Sequence, residues 1–179
     1  METADLEKWI FTLTLFLSSS LLFVVQPLFA RMALPLLGGS PGVWNLCMVF
    51  FQGTLLAGYA YAHFSSRWLG PRRQPLLHMT MMLVPLALLP MAIPAGWMGP
   101  EDNDPTLWLL ALLAVVVGLP FFAVSTMGPL MQTWFSKTSH EQAGDPYFLY
   151  AASNLGSMIS LLAYPVFFEP MLRLDQQNL

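Results

Sequence analysis

Four carboxamide side chains are the residues in this sequence best suited to bind a small polar molecule. Gln26, Gln52, Gln132 and Asn154 each lie within a long apolar run that contains no Asp, Glu, Lys or Arg. A carboxamide placed in an apolar environment is costly unless it is hydrogen-bonded, so each one needs a partner. Because a carboxamide carries donors and an acceptor but no charge, the four together could line one uncharged polar cavity and bind a small-molecule substrate.

Gln26 is followed directly by Pro27, and this pair has two interpretations. A proline inside a helix leaves the carbonyl four residues earlier, here that of Phe23, without its helical partner. The first interpretation is a broken-helix binding site of the kind found in transporters. The second is a kinked helix whose amide bonds to a neighbouring helix, and the sequence leaves both open.

The elements that must position these amides are set by the composition of the chain. Of the 179 residues, 56% are hydrophobic and only 9% are charged, against about 25% charged residues in an ordinary globular domain. So few charged residues cannot cover a surface that faces water. We therefore expect the chain to lie in a lipid bilayer. No basic cluster is large enough to bind nucleic acid.

Charge-free runs long enough to cross a bilayer as helices, which takes about 20 residues, define the expected spans. The runs are continuously apolar rather than alternating, which excludes membrane strands. The sequence predicts an all-α, polytopic transmembrane helical bundle in one domain, 1–179, with about five spans: 9–30, 43–64, 76–93, 107–135 and 147–168. Gly118-Leu119-Pro120 predicts a break inside the fourth span.

The basic residues predict the orientation of the bundle. Lys8, Lys137 and a cluster of three arginines (Arg67, Arg72 and Arg73) fall on one side of the predicted membrane, and only Arg31 and Arg173 fall on the other. Basic loops remain in the cytoplasm. We therefore expect a multi-pass protein with a cytoplasmic N-terminus, and with loops 31–42 and 94–106 outside.

The sequence lacks four motifs that commonly mark catalytic and cofactor sites. The chain has no G-x-G-x-x-G after a strand, no phosphate-binding lysine loop, no H-E-x-x-H and no G-x-S-x-G. The single Cys47 can form no intrachain disulfide and indicates no metal cluster. The sequence predicts no enzyme, no cofactor and no metal, and for His63 and His78 an interfacial structural role rather than a proton relay.

Small residues recur at a spacing of four in two of the runs. Gly58 and Ala62 form one such pair, and Ala152 and Gly156 form another. This spacing lets helix backbones approach closely, so packing is the expected role.

The chain also resembles the membrane-embedded N-terminal part of bacterial fused major-facilitator/spermidine-synthase-like proteins. The resembling stretches are FLSSSLLFVVQPLFARMALPLLGGSPGVWN, CMVFFQGTLLAGYAYAHFSSRWLGPRRQPLLH, GLPFFAVSTMGPLMQTWFSKT and DPYFLYAASNLGSMISLLAYPVFFEP. The resemblance implies a major-facilitator-like half bundle, continued in longer members by more spans and a soluble aminopropyltransferase-like domain. The nucleotide-binding motif and the catalytic aspartate of that domain are absent from this chain.

One loop resembles the cytoplasmic motif between the second and third helices of major-facilitator transporters. The matching residues are Arg67, Gly70, Arg72 and Arg73, and Ser66 stands where the motif normally has Asp. The match implies that this loop lies on the cytoplasmic side, in agreement with the charge distribution.

Two functional hypotheses follow. The first is an inner-membrane domain of a bacterial spermidine-synthase-like fusion protein that transports or presents a small, polyamine-related metabolite by rocking of helices about a midplane site. Since five spans cannot form a complete two-half transporter, this hypothesis expects the chain to be the N-terminal part of a longer protein or to need a partner copy. The alternative is a membrane anchor or scaffold for an enzyme domain or partner protein, without transport.

Overall fold

A computed structural model describes residues 3–37, 40–87, 89, 93, 96–97 and 104–171. This described part of the chain is helical and contains no strand, which confirms the all-α prediction. The α-helices are α1 (Thr3–Ala33), α2 (Pro41–Ala87), α3 (Thr106–Leu113), α4 (Leu119–Ser125), α5 (Met127–Phe135), α6 (Tyr147–Ala163) and α7 (Glu169–Met171). A short 3-10 turn, Leu34–Leu36, ends the α1 segment.

Within the described residues, 4 helical segments are long and apolar enough to cross a membrane: Ala4–Leu36, Pro41–Ala87, Thr106–Phe135 and Tyr147–Met171. The membrane-protein prediction is confirmed at this level. The count is lower than the predicted five because 43–64 and most of the predicted third span, 76–93, lie in one segment, α2. Part of that third span, residues 88 and 90–92, falls outside the described residues.

The long α2 segment folds back on itself at Gly70. This residue has φ 69° and ψ −179°, a conformation that side-chain-bearing residues rarely adopt. The ring centroids of Tyr61 and His78 are 6.1 Å apart, whereas a straight helix would separate these positions by about 25 Å. Residues 41–69 and 71–87 are therefore two antiparallel arms, called here the first arm and the second arm.

The first and last long helices run in the same direction. The ammonium of Lys8 lies 4.9 Å from the ring centroid of Phe148 near their N-terminal ends. The Nη1 atom of Arg31 lies 3.6 Å from a carboxylate oxygen of Glu169 near their C-terminal ends. Residues early in one helix contact residues early in the other, and late residues contact late residues. Helices α1 and α6 are therefore a parallel pair.

Helices α4 and α5 run opposite to α1 and parallel to the first arm. Phe135 at the end of α5 packs edge-on against Phe11 at the start of α1, with ring centroids 5.3 Å apart. Phe121 in α4 packs against Phe51 in the first arm at 4.8 Å. The main apolar core lies between these elements, where Phe51, Val117 and Phe121 are nearly inaccessible to solvent.

Prolines explain the irregular turns. Proline removes one helical hydrogen bond and crowds the carbonyl four residues earlier, so the local helix widens or breaks. π-helical turns occur at Ala114–Gly118, just before Pro120, and at Tyr164–Phe168, which contains Pro165. Near Gly118-Leu119-Pro120 the segment Thr106–Phe135 is irregular but continuous, so the predicted break is a π-helical turn instead. By contrast, α1 continues helically through Pro27 to Ala33.

The small residues singled out in the sequence lie at helix contacts. Gly58 and Ala62 of the first arm are buried, and so are Ala152 and Gly156 of α6. A Cβ atom at Gly156 would lie 2.5 Å from the carbonyl oxygen of Phe16. The packing role expected for these residues is confirmed.

Candidate polar cavity

A polar cavity of about 150 Å³ lies between α1, the first arm, the α4–α5 region and α6. Eight of its 13 lining residues carry a hydroxyl or a carboxamide group, and none is charged. The lining residues are Ser18, Ser19, Leu22, Phe23, Gln26, Gln52, Leu55, Tyr59, Val124, Ser125, Gly128, Ser153 and Ser157. Its volume corresponds to about five water molecules at roughly 30 Å³ each.

Two of the four predicted amides meet in this cavity. Gln26 reaches it from α1 and Gln52 from the first arm. Asn154 is exposed on α6 and Gln132 is half-buried on α5, and neither belongs to the cavity lining. The structure thus brings Gln26 and Gln52 together and leaves the other two apart.

Serines supply the part of the cavity that sequence reasoning missed. The hydroxyl oxygens of Ser19 and Ser153 are 2.8 Å apart and join α1 to α6. Ser157 donates to the carbonyl oxygen of Ser153 at 2.9 Å. The available signal was the spacing of four between Ser153 and Ser157, which places both on one helix face.

The hydrogen-bond pattern indicates what the cavity can recognise. Ser125 and Ser157 donate their hydroxyl protons to backbone carbonyls within their own helices. Their remaining lone pairs are acceptors, whereas the amide groups of Gln26 and Gln52 can both donate and accept. The cavity therefore suits a small, neutral molecule that carries both kinds of hydrogen-bonding group.

Gln26 forms part of the cavity wall, and Pro27 next to it does not break the helix. Pro27 has no N–H to donate, so the Phe23 carbonyl lacks its usual helical partner. Phe23 and Gln26 both line the cavity. The polar character of this wall thus arises from a continuous helix rather than from an unwound segment.

A second polar group surrounds His78 on the second arm. His78 is 2% exposed, and its Nε2 atom lies 3.3 Å from the Met127 sulfur and 3.5 Å from the Thr126 hydroxyl. Nearby, the Trp134 indole donates to the side-chain oxygen of Gln74 at 2.6 Å. The fold-back at Gly70 turns this side chain into the bundle, and its interfacial structural role stays a prediction.

The loop-motif residues lie around the fold-back. Arg67, Arg72 and Arg73 are exposed on either side of Gly70. Lys8 belongs to the same end of the bundle, since α1 begins where the first arm ends. This clustering agrees with the expected charge asymmetry, while the orientation itself stays a prediction.

The end of the bundle opposite Gly70 carries both acidic and basic residues. Arg31 pairs with Glu169 there. Glu101 and Asp102 of loop 94–106 lie outside the described residues. Asp104 of the same loop accepts hydrogen bonds from the Thr106 backbone N–H at 2.9 Å and from the Thr106 hydroxyl at 2.6 Å. These bonds hold the pKa of the Asp104 carboxyl below its ordinary value of 3.8.

The remaining candidate for site chemistry is Cys47, which is buried in the apolar core. No group of three or more His, Cys, Asp or Glu residues suited to a metal ion occurs among the described residues.

Comparisons of the chain with models of protein families, with curated proteins and with solved structures found no match. Its function must therefore be argued from the polar cavity.

Proposed function

We propose that this chain is a membrane-embedded helical domain that binds a small, neutral, polar molecule in the cavity and carries it across the bilayer. The observation that supports the proposal is the convergence of Gln26 and Gln52 with five serines around one cavity inside the bundle. Polar groups are costly in a membrane and typically mark substrate pathways there. Helix packing alone does not require seven such groups around one cavity.

The proposal includes five membrane crossings in a major-facilitator-like half bundle. Five crossings make the first and last spans parallel, as α1 and α6 are, whereas four would make them antiparallel. The fold-back at Gly70 lets α2 supply two of the five crossings. The basic residues at the Gly70 end favour a cytoplasmic location for that end and for the N-terminus, in what we propose to be a bacterial inner membrane.

One side of the cavity is open. Gln52 is exposed and Tyr59 is 50% exposed, although both line the cavity. A polar wall that faced lipid would be unfavourable. We propose that a further part of a longer chain, or a partner copy, covers this side, and that rocking of the two units gives alternating access to the molecule bound between them.

The lining chemistry also bears on the polyamine expectation. A polyamine is a multiple cation, and buried cations are usually paired with carboxylates or aromatic rings. The described lining offers two aromatic rings, from Phe23 and Tyr59, but no carboxylate. The described lining by itself therefore suits a neutral amide. A polyamine would need acidic groups from the covering unit.

Cysteine accessibility tests whether the cavity is solvated. In a Cys47→Ala background, we expect Ser153→Cys in lipid nanodiscs to react with a small hydrophilic thiol reagent. Ser160→Cys is the matched control, because Ser160 is buried on the same helix outside the cavity. Equal protection of both cysteines would contradict a solvated cavity.

Flux measurements then separate transport from anchoring. Proteoliposomes with the whole chain are tested for uptake of radiolabelled glutamine and of radiolabelled spermidine. Gln26→Leu and Gln52→Leu should abolish the uptake of whichever compound is carried, while Gln132→Leu, a half-buried glutamine outside the cavity, should retain it. Uptake that survives the cavity substitutions would exclude this site, and no uptake of either compound would favour the membrane anchor.

A further inference from the structure

A single helix junction contacts both the polar cavity and the buried histidine. Ser125 and Gly128, on the two sides of the α4–α5 junction, line the cavity. The residues between them, Thr126 and Met127, are the ones that approach the Nε2 atom of His78. A rearrangement at either place must therefore displace groups at the other.

The α4–α5 junction is an irregular point in the helix. Pro129 cannot donate a hydrogen bond to the Ser125 carbonyl, and regular helix is interrupted at Thr126. The Ser125 and Thr126 hydroxyls instead donate to carbonyls three residues earlier, each at 2.7 Å. Hydroxyl-to-backbone bonds of this kind compete with the regular helical pattern and accompany bends.

The contacts around His78 indicate which ring nitrogen carries the proton when the ring is neutral. The Thr126 hydroxyl proton is used on the Ala123 carbonyl, so the hydroxyl oxygen can only accept from Nε2. The neutral ring then has its proton on Nε2 and none on Nδ1. The Nδ1 atom is buried and has no hydrogen-bond partner among the residues that the structure describes.

The packing around His78 has no place for a charged imidazole. Protonation would put an N–H on Nδ1 as well, and this donor would find no acceptor. The side chains that share its pocket from α1 are Ile10, Phe11 and Thr14, and those from α5 are Met127, Met131 and Trp134. None of these six side chains is acidic or basic, so none compensates a positive ring.

Two ionisable groups on α2 complete the surroundings. Tyr61 of the first arm faces His78 with ring centroids 6.1 Å apart, and its buried hydroxyl has the Ser65 side chain as a neighbour. Arg73 lies on the same arm as His78 but is exposed. No anion therefore opposes a proton on His78 among the described neighbours.

We propose that His78 is a proton-binding residue that couples protonation to access of the polar cavity through the α4–α5 junction. We call the arrangement in which the second arm packs against α5, which suits the neutral ring, the closed arrangement. Proton binding displaces the second arm from α5 until the Nδ1–H group reaches the Tyr61 hydroxyl or water, and the junction at Ser125 and Thr126 moves with it. This inference rests on the proposed function and names the proton as the second species handled by the site.

Linkage gives the direction of the effect. Because the closed arrangement excludes the charged ring, the proton binds more tightly to the open arrangement. Lower pH therefore increases the open population, and the cavity becomes more accessible as His78 gains its proton. Coupling free energies between sites typically change affinities by about 5-fold to 150-fold.

The test measures cavity accessibility against pH. The labelling rate of the Cys47→Ala, Ser153→Cys protein is measured in nanodiscs at each pH. It is divided by the rate of the same protein that also carries His78→Gln. This ratio removes the intrinsic pH dependence of the thiol. We expect this ratio to rise by at least about fivefold between about pH 8 and about pH 5. The matched control is His63→Gln, since His63 is an exposed histidine on the first arm.

The outcomes separate this inference from the proposed function. A constant ratio, with Ser153→Cys still reactive at one pH, overturns the proton site and leaves the cavity intact, whereas protection of that cysteine at every pH contradicts the cavity itself. If His78→Gln fails to fold, histidine NMR of the unsubstituted protein decides. A His78 signal that titrates between about pH 5 and about pH 8 supports the inference, and one that stays neutral overturns it.

Discussion

The backbone of Gly156 in α6 lies so close to that of Phe16 in α1 that no larger residue fits between them. A Cβ atom at Gly156 would lie 2.5 Å from the Phe16 carbonyl oxygen and 3.0 Å from the Ser20 hydroxyl. The Ser20 hydroxyl donates to the Gly156 carbonyl at 3.3 Å across the same contact. This contact holds the parallel pair of helices at the distance that the polar cavity requires.

Gly156→Ala should therefore destabilise the bundle by about 1 to 3 kcal/mol, because a methyl group would have to push a backbone rather than a flexible side chain. The measurement is the free energy of unfolding in detergent. Gly53→Ala is the matched control, since nothing lies within 4 Å of a Cβ at that helical position. There the change should be neutral or slightly stabilising, and equal effects at both glycines would contradict the contact.

A second close contact joins Gly58 of the first arm to Ser125 of α4. A Cβ at Gly58 would overlap the Ser125 hydroxyl oxygen. Gly58→Ala should destabilise the protein, and Ser125→Ala should relieve part of the loss because it removes the overlapping oxygen. A double-mutant cycle should give a coupling of about 0.5 to 3 kcal/mol, whereas additive effects would show that the two residues do not touch.

Substitution of Gly70 should disturb the fold-back of α2. Any residue with a side chain at φ 69° and ψ −179° is strained, at a cost of about 1 to 3 kcal/mol. Gly70→Ala should lower the unfolding free energy by that amount. Gly144→Ala is the control, because Gly144 lies in a turn with open space around it and no positive φ, and an equal loss there would refute the argument.

The hydrogen bond between Trp134 and Gln74 links α5 to the second arm. Gln74 is 1% exposed, so Trp134→Phe would leave its side-chain oxygen buried without this donor. We expect a loss of about 1 to 3 kcal/mol in unfolding free energy. The double variant with Gln74→Leu should be less destabilised than the sum of the single variants. A purely additive result would mean that the bond contributes nothing.

Side-specific labelling tests the five crossings. In a Cys47→Ala background, cysteines placed at Ser40 and Met171 should react with an impermeant reagent from the same side of the membrane, and one at Trp68 from the other. All three positions are exposed. The charge distribution further predicts that Trp68→Cys labels from the cytoplasm. Labelling of Ser40→Cys and Met171→Cys from opposite sides would indicate an even number of crossings and refute the proposal.

The sequence by itself determined that this chain forms apolar helices suited to a membrane and where the chain turns between them. Charged groups are too costly to bury unpaired, so their spacing marks the ends of the runs. The cluster Arg67, Arg72 and Arg73 indicated a loop between the predicted spans 43–64 and 76–93. The fold-back at Gly70 lies within that loop. Proline chemistry likewise predicted the irregular turn before Pro120, because the missing N–H is a local property.

Only the tertiary structure decided which face of each helix lies in the interior of the bundle. Adjacent residues of a helix point about 100° apart, so a small rotation exchanges their environments. Ser153 lines the cavity while Asn154 next to it is exposed, and Gln26 and Gln52 meet while Gln132 does not. Contacts such as that of Gly156 with Phe16 set these rotations. They depend on residues 140 positions apart, which no local pattern could reveal.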